Sequence, residues 1–309
     1  MIRSAKYLSV AALTTALAAC GGGGSASGDG ATGTMSLGMT DAPTDMFTKV
    51  NITFTGVTLK PADGDTITYV FDSPKTLDLL TLQSGVSAPL LEDEEVPAGH
   101  YNWIRLTLDE DKLKAYNGDT EYNLVVPSGG PTGLKLVSGF TVAEGGDNNF
   151  TIDFDVRKSI VDPKGSPQGA DYFLKPALRL IDNLEVGSVI GDVDYATINQ
   201  DPNLMACSAA DHGSIYIYSG SDVTPTDINI NQPDQGPLTT ATVTNDKTDS
   251  VDHFKVAFLT AGEYTLSYTC QTDDNEVTDK GDSLEFIGTQ NVTVVAGEKT
   301  TAKDIPLAQ

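Results

Sequence analysis

The chain has 309 residues, of which 39% are hydrophobic and 20% are charged, and its 43 acidic residues against 19 lysines and arginines give a net charge of -24. This charge argues against nucleic acid as a partner, because phosphate binding needs clustered cations, and the apolar fraction is too high for a disordered chain. Thirty glycines, 15 prolines and 7% aromatic residues predict turn-rich β structure, and the length suggests two domains.

Residues 1–19 have the features of a secretory signal peptide. Arg3 and Lys6 precede an apolar stretch at 7–17 that is too short to span a bilayer. The Leu-Ala-Ala-Cys sequence at 17–20 then matches the bacterial lipobox. This match predicts cleavage before Cys20 and acylation of this cysteine with fatty acids that include palmitate. Several acyl chains make a stable anchor, since each buried CH₂ contributes about 0.8 kcal/mol. An ordinary signal peptide with a chance cysteine is the alternative.

The residues after Cys20 bear on where the protein resides. Gly21 stands where an inner-membrane lipoprotein of an enterobacterium often carries aspartate. We therefore predict a lipid-anchored protein of the outer membrane of a Gram-negative bacterium, with the cell surface as the favoured face. Residues 20–33 are interpreted as a Gly/Ser-rich tether. The G-x-G-x-x-G at 28–33 follows no predicted strand, so we interpret it as linker and not as a dinucleotide site.

From residue 34 to 185, short runs of alternating polar and apolar residues are separated by turn signals, which is typical of antiparallel sheets. Segments 51–59 and 66–71 flank a turn and predict a hairpin. Further strands are predicted at 101–108, 113–116, 120–125, 134–142, 150–156 and 172–182. Segments 78–82 and 42–47 are predicted to form short helical turns.

A second β series occupies residues 189–309. Strands are predicted at 189–193, 214–218, 239–244, 253–259, 264–268 and 290–295. Cys207 and Cys270 are the only cysteines after Cys20, and in an oxidising setting such a pair is more often a disulfide than a metal site, with two free thiols as the alternative. The predicted fold is all-β, with two tandem antiparallel β-sandwich-like modules at 34–185 and 189–309 and few short helical turns.

Short motifs in the first module resemble, in order, a family of bacterial lipoproteins catalogued as domain of unknown function 4382. They are Thr40-Asp41-Ala42-Pro43, Asp78-Leu79-Leu80, Val96-Pro97-Ala98-Gly99-His100-Tyr101, Val126-Pro127-Ser128-Gly129, Thr132-Gly133-Leu134-Lys135-Leu136 and the segment from Asp153 to Ile160. The resemblance covers about residues 34–182 and implies an exported β domain with no established reaction. The second module is similar, through Ala261 to Leu266, to prealbumin-like and starch-binding-like sandwiches, which implies a carbohydrate-binding-like fold.

The sequence contains none of the common catalytic signatures G-x-S-x-G, H-E-x-x-H or P-loop, and His100, His212 and His253 are scattered, so we predict that the protein is not an enzyme and needs no cofactor. Asp153 and Asp155 share one face of a predicted strand. They leave two alternatives open, a carboxylate-dependent hydrolase and a Ca²⁺ site. Acidic loops at 63–65, 109–111 and 273–276 are further Ca²⁺ candidates. Ion pairs with Arg157 and Lys158, or a solvated strand face, are the simpler interpretations.

The candidate ligand surface is centred on Trp103, the only tryptophan. By strand alternation Trp103 shares a face with Tyr101 and Arg105, opposite Ile104 and Leu106. An outward Trp103 could stack on a sugar, whereas the alternative is a tryptophan covered by a neighbouring sheet.

By the same alternation Tyr216 and Tyr218 form a second candidate platform. We predict a non-enzymatic envelope binding or adhesion module, with a glycan or another envelope protein as partner. A purely structural or assembly lipoprotein is the alternative.

Overall fold

The computed structural model describes residues 30–44, 46–127, 133–163, 170–201, 204–207, 212–229, 232, 235–245, 251–272 and 284–306. The predicted signal peptide, the predicted lipidation site at Cys20 and the acidic loop at 273–276 lie outside the described residues.

Strands make up most of the secondary structure. In chain order they are β1 (Thr32–Ala42), β2 (Lys49–Pro61), β3 (Ile67–Asp78), β4 (Ala88–Pro97), β5 (Gly99–Leu108), β6 (Lys114–Asn117), β7 (Thr120–Val125), β8 (Leu134–Leu136), β9 (Phe140–Val142), β10 (Asp147–Asp155), β11 (Ile160–Val161), β12 (Tyr172–Leu174), β13 (Leu178–Asp182), β14 (Val186–Val193), β15 (Ser214–Ser219), β16 (Thr239–Thr242), β17 (Asp252–Thr260), β18 (Gly262–Thr269), β19 (Ile287–Val294) and β20 (Lys299–Thr301). The helical elements among the described residues are α1 (Val156–Ser159), α2 (Tyr195–Gln200) and 3-10 turns at Leu79–Thr81 and Glu110–Lys112. The predicted all-β, sandwich-like fold is confirmed.

In the part of the chain that the structure describes, the strands form four sheets, two in each half. In the first half, β13-β10-β1-β4 form one sheet and β11-β12-β7-β6-β2-β5-β8 form a larger one, in which β3 also pairs with β2 and β9 with β5. In the second half the sheets are β17-β14-β20 and β16-β15-β18-β19. Residues Ala31–Gln309 nevertheless group into one compact unit. That 34–185 and 189–309 are separate domains therefore stays a prediction.

Among the described strands, three pairs are parallel, which the sequence pattern did not indicate. They are β1 with β10, β7 with β12 and β14 with β20. Parallel neighbours cannot be joined by a tight hairpin, so such pairs bring together strands that are distant in sequence. The pairing of β1 with β10 places Thr40, Asp41 and Ala42 beside Asp153, Phe154 and Asp155.

Each half has its own hydrophobic core, built by strands that bury one face. In β1 the alternate residues Met35, Leu37 and Met39 are buried while Thr34 and Ser36 are half-buried. This period of two follows from the strand geometry, in which successive side chains point to opposite faces. The core of the second half includes Ile215, Ile217, Phe254, Val256, Leu259, Leu266 and Tyr268.

Several predicted segments differ from the structure. The helical turn at 78–82 corresponds to the 3-10 turn Leu79–Thr81, but the turn predicted at 42–47 is wrong, because its described residues form the end of β1 and a loop. Segment 172–182 is two strands in different sheets: β12 pairs with β7, and β13 pairs with β10. The chain crosses between the sheets at Lys175–Ala177. Strands β1, β4, β11 and β20 and helices α1 and α2 were not predicted.

Candidate functional site

A tryptophan and three basic side chains lie together on the larger sheet of the first half. In the strand register Trp103 is opposite Lys60 of β2, and Arg105 is opposite Lys135 of β8. Side chains of directly opposite residues share a face of the sheet. Lys135 is exposed and the other three are half-buried. We call these four residues the cationic aromatic patch.

The burial of β5 agrees with the prediction for this strand at its centre. Ile104 and Leu106 are fully buried in the core, so Trp103 and Arg105 lie on the opposite face. Trp103 is therefore half-buried on the outer face of the sheet and is not part of the hydrophobic core.

Two cations of the patch contact the tryptophan ring. The guanidinium carbon of Arg105 lies 4.8 Å from the ring centroid of Trp103, and the ammonium nitrogen of Lys135 lies 4.7 Å from it. Cation–π contacts of this kind contribute about 0.5–2 kcal/mol each. Among the described residues neither side chain forms an ion pair or a hydrogen bond, and the buried Nε of Arg105 has no partner. Both charges are therefore available to an anion, whereas the ring is already contacted.

Tyr101 is not part of this surface, contrary to the prediction from strand alternation. Its side chain is 1% exposed, stacks on Phe140 at 4.8 Å, and donates a hydrogen bond to the Pro97 carbonyl at 2.7 Å. Burial raises the pKa of Tyr101 to about 12. The reason is a β-bulge: Lys60 pairs with Trp103 and the next residue pairs with Tyr101, which leaves one extra residue between them. A bulge shifts the alternation by one position and turns Tyr101 inward.

The second predicted platform, Tyr216 and Tyr218, is also buried. Both lie opposite Ile215 and Ile217 on β15, as expected, but their exposed fractions are 0% and 1%. They pack with Ile228 in a small second cluster. The Tyr218 hydroxyl donates to the Thr226 carbonyl at 2.7 Å. Both faces of β15 are therefore covered, and neither tyrosine can serve as an exposed platform.

Asp153 and Asp155 share a face of β10, as predicted, but this face is not solvated. Both are 6% exposed, and each is paired with a cation: Asp153 with Arg179 at 2.8 Å and Asp155 with Lys158 at 3.4 Å. The Asp155 carboxylate also caps α1 by accepting from the Lys158 amide. Burial raises the pKa of Asp155, and Asp153 raises it further. Calcium binding or water activation by this pair would require displacement of the two cations.

Asp41 is a buried carboxyl that the sequence analysis did not single out, although it stands in the Thr40–Pro43 motif. One oxygen accepts from the Val156 amide at 3.0 Å, and the other has no hydrogen-bond partner. Burial raises the pKa of Asp41 well above its ordinary value, and the neighbouring Asp155 and Asp153 raise it further. An ionised, half-satisfied carboxylate at this position costs folding free energy, because burial penalises the charged form.

Arg157 and Lys158 connect the two halves of the chain. The Arg157 side chain is 1% exposed and donates to the Pro43 carbonyl at 3.0 Å and to the Tyr216 hydroxyl at 3.1 Å. Lys158 donates to the carbonyls of Pro237 and Leu238 at 2.7 and 2.8 Å. These polar contacts join helix α1 of the first half to the second half, so they have a structural function.

The other predicted residues have structural partners. The disulfide between Cys207 and Cys270 is confirmed. His212 stacks on Tyr195 at 4.0 Å and places Nδ1 2.9 Å from Asp252.

His253 places Nδ1 2.7 Å from Asp192. Among the residues described here, no group of three or more histidine, cysteine or acidic side chains is arranged to hold a metal ion. No helix in the same set has the length and apolar composition needed to cross a membrane.

The fold and the patch together define an all-β, sandwich-like protein with a cationic aromatic surface. Residues 32–176 match the family model described as Domain of unknown function (DUF4382), which agrees with the resemblance noted for residues 34–182. The comparison with curated proteins finds no match.

Among solved structures, the Bacillus anthracis TIE protein is 13% identical to the chain, with 88% of this chain and 34% of that protein covered and a TM-score of 0.19. The chain thus spans about a third of the length of that protein. GBS52, the minor pilin of Streptococcus agalactiae, is 12% identical, with 89% and 98% covered and a TM-score of 0.20. TM-scores this low do not establish a shared fold.

Proposed function

We propose that the protein is a lipid-anchored, non-enzymatic binding protein of the bacterial envelope that holds an acidic glycan at the cationic aromatic patch. The anchor rests on the lipobox at 17–20. The observation that carries the binding role is the pair of cations, Arg105 and Lys135, which contact Trp103 and form no ion pair among the described residues.

The chemistry of the patch favours an acidic sugar over a neutral one. A neutral sugar would have to displace a cation to stack on Trp103. The carboxylate or sulfate of an acidic sugar can instead pair with Arg105 and Lys135 while its ring lies beside the indole. Hydrogen bonds to charged groups contribute about 1.5–3 kcal/mol, and the planar guanidinium suits a two-oxygen acceptor.

Binding to purified acidic and neutral polysaccharides tests the ligand. Calorimetry with polygalacturonate and with dextran, at low and high salt, is expected to show salt-sensitive binding of polygalacturonate alone. Lys135→Gln and Trp103→Ala should each weaken it about tenfold, which is about 1.4 kcal/mol. Lys299→Gln removes the same charge from exposed strand β20 and is the matched control. No binding by a folded protein would favour the purely structural role, and equal losses in Lys135→Gln and Lys299→Gln would contradict a site at the patch.

The anchor is tested separately. Cells supplied with a labelled palmitate analogue are expected to label the wild-type protein and not Cys20→Ala. Proteinase added to intact cells should degrade a surface-exposed protein and spare one that faces the periplasm. A labelled Cys20→Ala variant would contradict the lipid anchor without affecting the argument for the patch.

A further inference from the structure

A second site lies where the two halves of the chain meet, away from the cationic aromatic patch. It is a cleft of about 950 Å³. Its first wall comes from β10, α1, β11, β12, β13 and the Lys175–Ala177 crossing, and its second wall comes from the end of β15, Val223 and residues 236–238. Sites for small organic molecules have volumes of about 300–1,000 Å³. The cleft therefore has room for a whole small molecule.

The net charge of the cleft lining is positive, whereas the net charge of the whole chain is negative. Its basic side chains are Lys158, Lys175 and Arg179, and its acidic ones are Asp153 and Asp155. Lys158 and Arg179 neutralise the two carboxylates through the ion pairs described above. This leaves one positive charge in excess, in a chain whose net charge is -24.

Lys175 carries that excess charge. The residue is exposed, and within the described part of the chain its ammonium has no hydrogen bond and no ion pair. Its backbone amide, by contrast, is held by the Ser159 carbonyl at 2.8 Å, so the start of the side chain is fixed by the fold. Because the crossing between the two sheets fixes this position, the ammonium is attached to a rigid edge of the cleft.

The rest of the lining is mainly apolar. Val161 and Leu174 are buried in the first wall, and Leu178 lies beside them. Val223 and Leu238 line the second wall. An apolar ligand body would remove this surface from water, at about 25 cal/mol per Å² of apolar area.

We propose that this cleft binds a small amphipathic anion, a molecule with one carboxylate or sulfonate group and an apolar body. Lys175 is its counterion, and the apolar walls hold the body. The site is independent of glycan binding at the patch, since the two share no residue.

Fluorescence titration with 8-anilinonaphthalene-1-sulfonate, followed by competition with dodecanoate, tests the proposal on the folded protein. The probe is expected to bind one site and to be displaced by dodecanoate. Lys175→Glu should weaken binding at least about tenfold. Lys303→Glu, at an exposed position in the second half, makes the same charge change and should retain binding. Ser219→Trp places a bulky side chain at an exposed position of the cleft lining and should abolish binding of the probe.

Thermal unfolding of each variant identifies probe binding that comes from a loosened fold. Unchanged binding in both folded cleft variants would overturn the proposal, as would equal losses in Lys175→Glu and Lys303→Glu, or a wild-type protein that binds neither probe nor dodecanoate. Trp103→Ala should leave the titration unchanged, so failure of the patch and failure of the cleft are distinguishable.

Discussion

Replacement of Arg157 by methionine tests whether its buried guanidinium joins the two halves. Methionine matches the aliphatic stem of arginine and carries no charge, so the substitution removes the bonds to the Pro43 carbonyl and the Tyr216 hydroxyl while it keeps the apolar packing of the stem. It also removes the contact between the guanidinium carbon and the Tyr216 ring, at 5.7 Å. The change should therefore weaken the junction between the halves specifically.

The expected loss follows from the burial of these groups. Removal of the guanidinium takes away its hydrogen bonds to two buried acceptors, the Pro43 carbonyl and the Tyr216 hydroxyl, and each loss of a buried partner costs about 1–3 kcal/mol. Methionine recovers part of this by apolar packing, so we expect the free energy of unfolding to fall by about 3 kcal/mol. The stability of Arg157→Lys should lie between that of the wild type and that of Arg157→Met, because an ammonium lacks the planar fork that reaches both acceptors.

Urea denaturation followed by circular dichroism measures the effect. If Arg157 joins the halves, the methionine variant should lose cooperativity and unfold in two steps, whereas the wild type unfolds in one. Lys299→Met, at an exposed position on β20, is the control and should leave the midpoint unchanged. A methionine variant as stable as the wild type, with a single transition, would refute the reasoning.

Three further predictions concern buried groups. Because the pKa of Asp41 is raised above its ordinary value of 3.8, the wild type should lose stability as the pH rises from that value through the folded pKa. Asp41→Asn should lose less stability over the same rise, measured by urea titrations between about pH 4 and about pH 7. An unchanged dependence of stability on pH in this variant would contradict the assignment. The double variant Cys207→Ser and Cys270→Ser should lose about 2–5 kcal/mol in the same assay, and a reducing agent should destabilise only the wild type; equal midpoints in oxidised and reduced protein would count against the disulfide. Tyr101→Phe should cost about 1 kcal/mol through loss of its buried hydrogen bond while polysaccharide binding is retained, and a binding loss as large as that of Trp103→Ala would return this residue to the ligand surface.

Local patterns in the sequence were sufficient where one strand face meets a core. The alternation in β5 placed Trp103 and Arg105 on the face opposite Ile104 and Leu106, and the structure shows that Ile104 and Leu106 are the buried pair. Such predictions succeed because the period of two is a property of the strand itself. The alternation failed at Tyr101, since the bulge beside it depends on how β5 pairs with β2.

Whether the second face of a strand is buried depends on what packs against it. Alternation along β15 correctly separated Tyr216 from Ile215, yet it could not show that the tyrosine face is covered as well. The same holds for the acidic residues of β10, which the sequence left between a solvated face and an ion-pair network. Arg179, the partner of Asp153, comes from a strand that follows a change of sheet, and nothing local indicates it.

The sequence by itself determined the class of the fold, the disulfide and the strongly acidic composition, because these depend on periodicity and on residue counts. Only the tertiary structure decided where the few cations are used. Arg157 and Lys158 form hydrogen bonds across the junction of the halves, whereas Arg105, Lys135 and Lys175 remain without acidic partners among the described residues. The difference arises from long-range strand pairing, which buries some charges beside partners and leaves others at a surface.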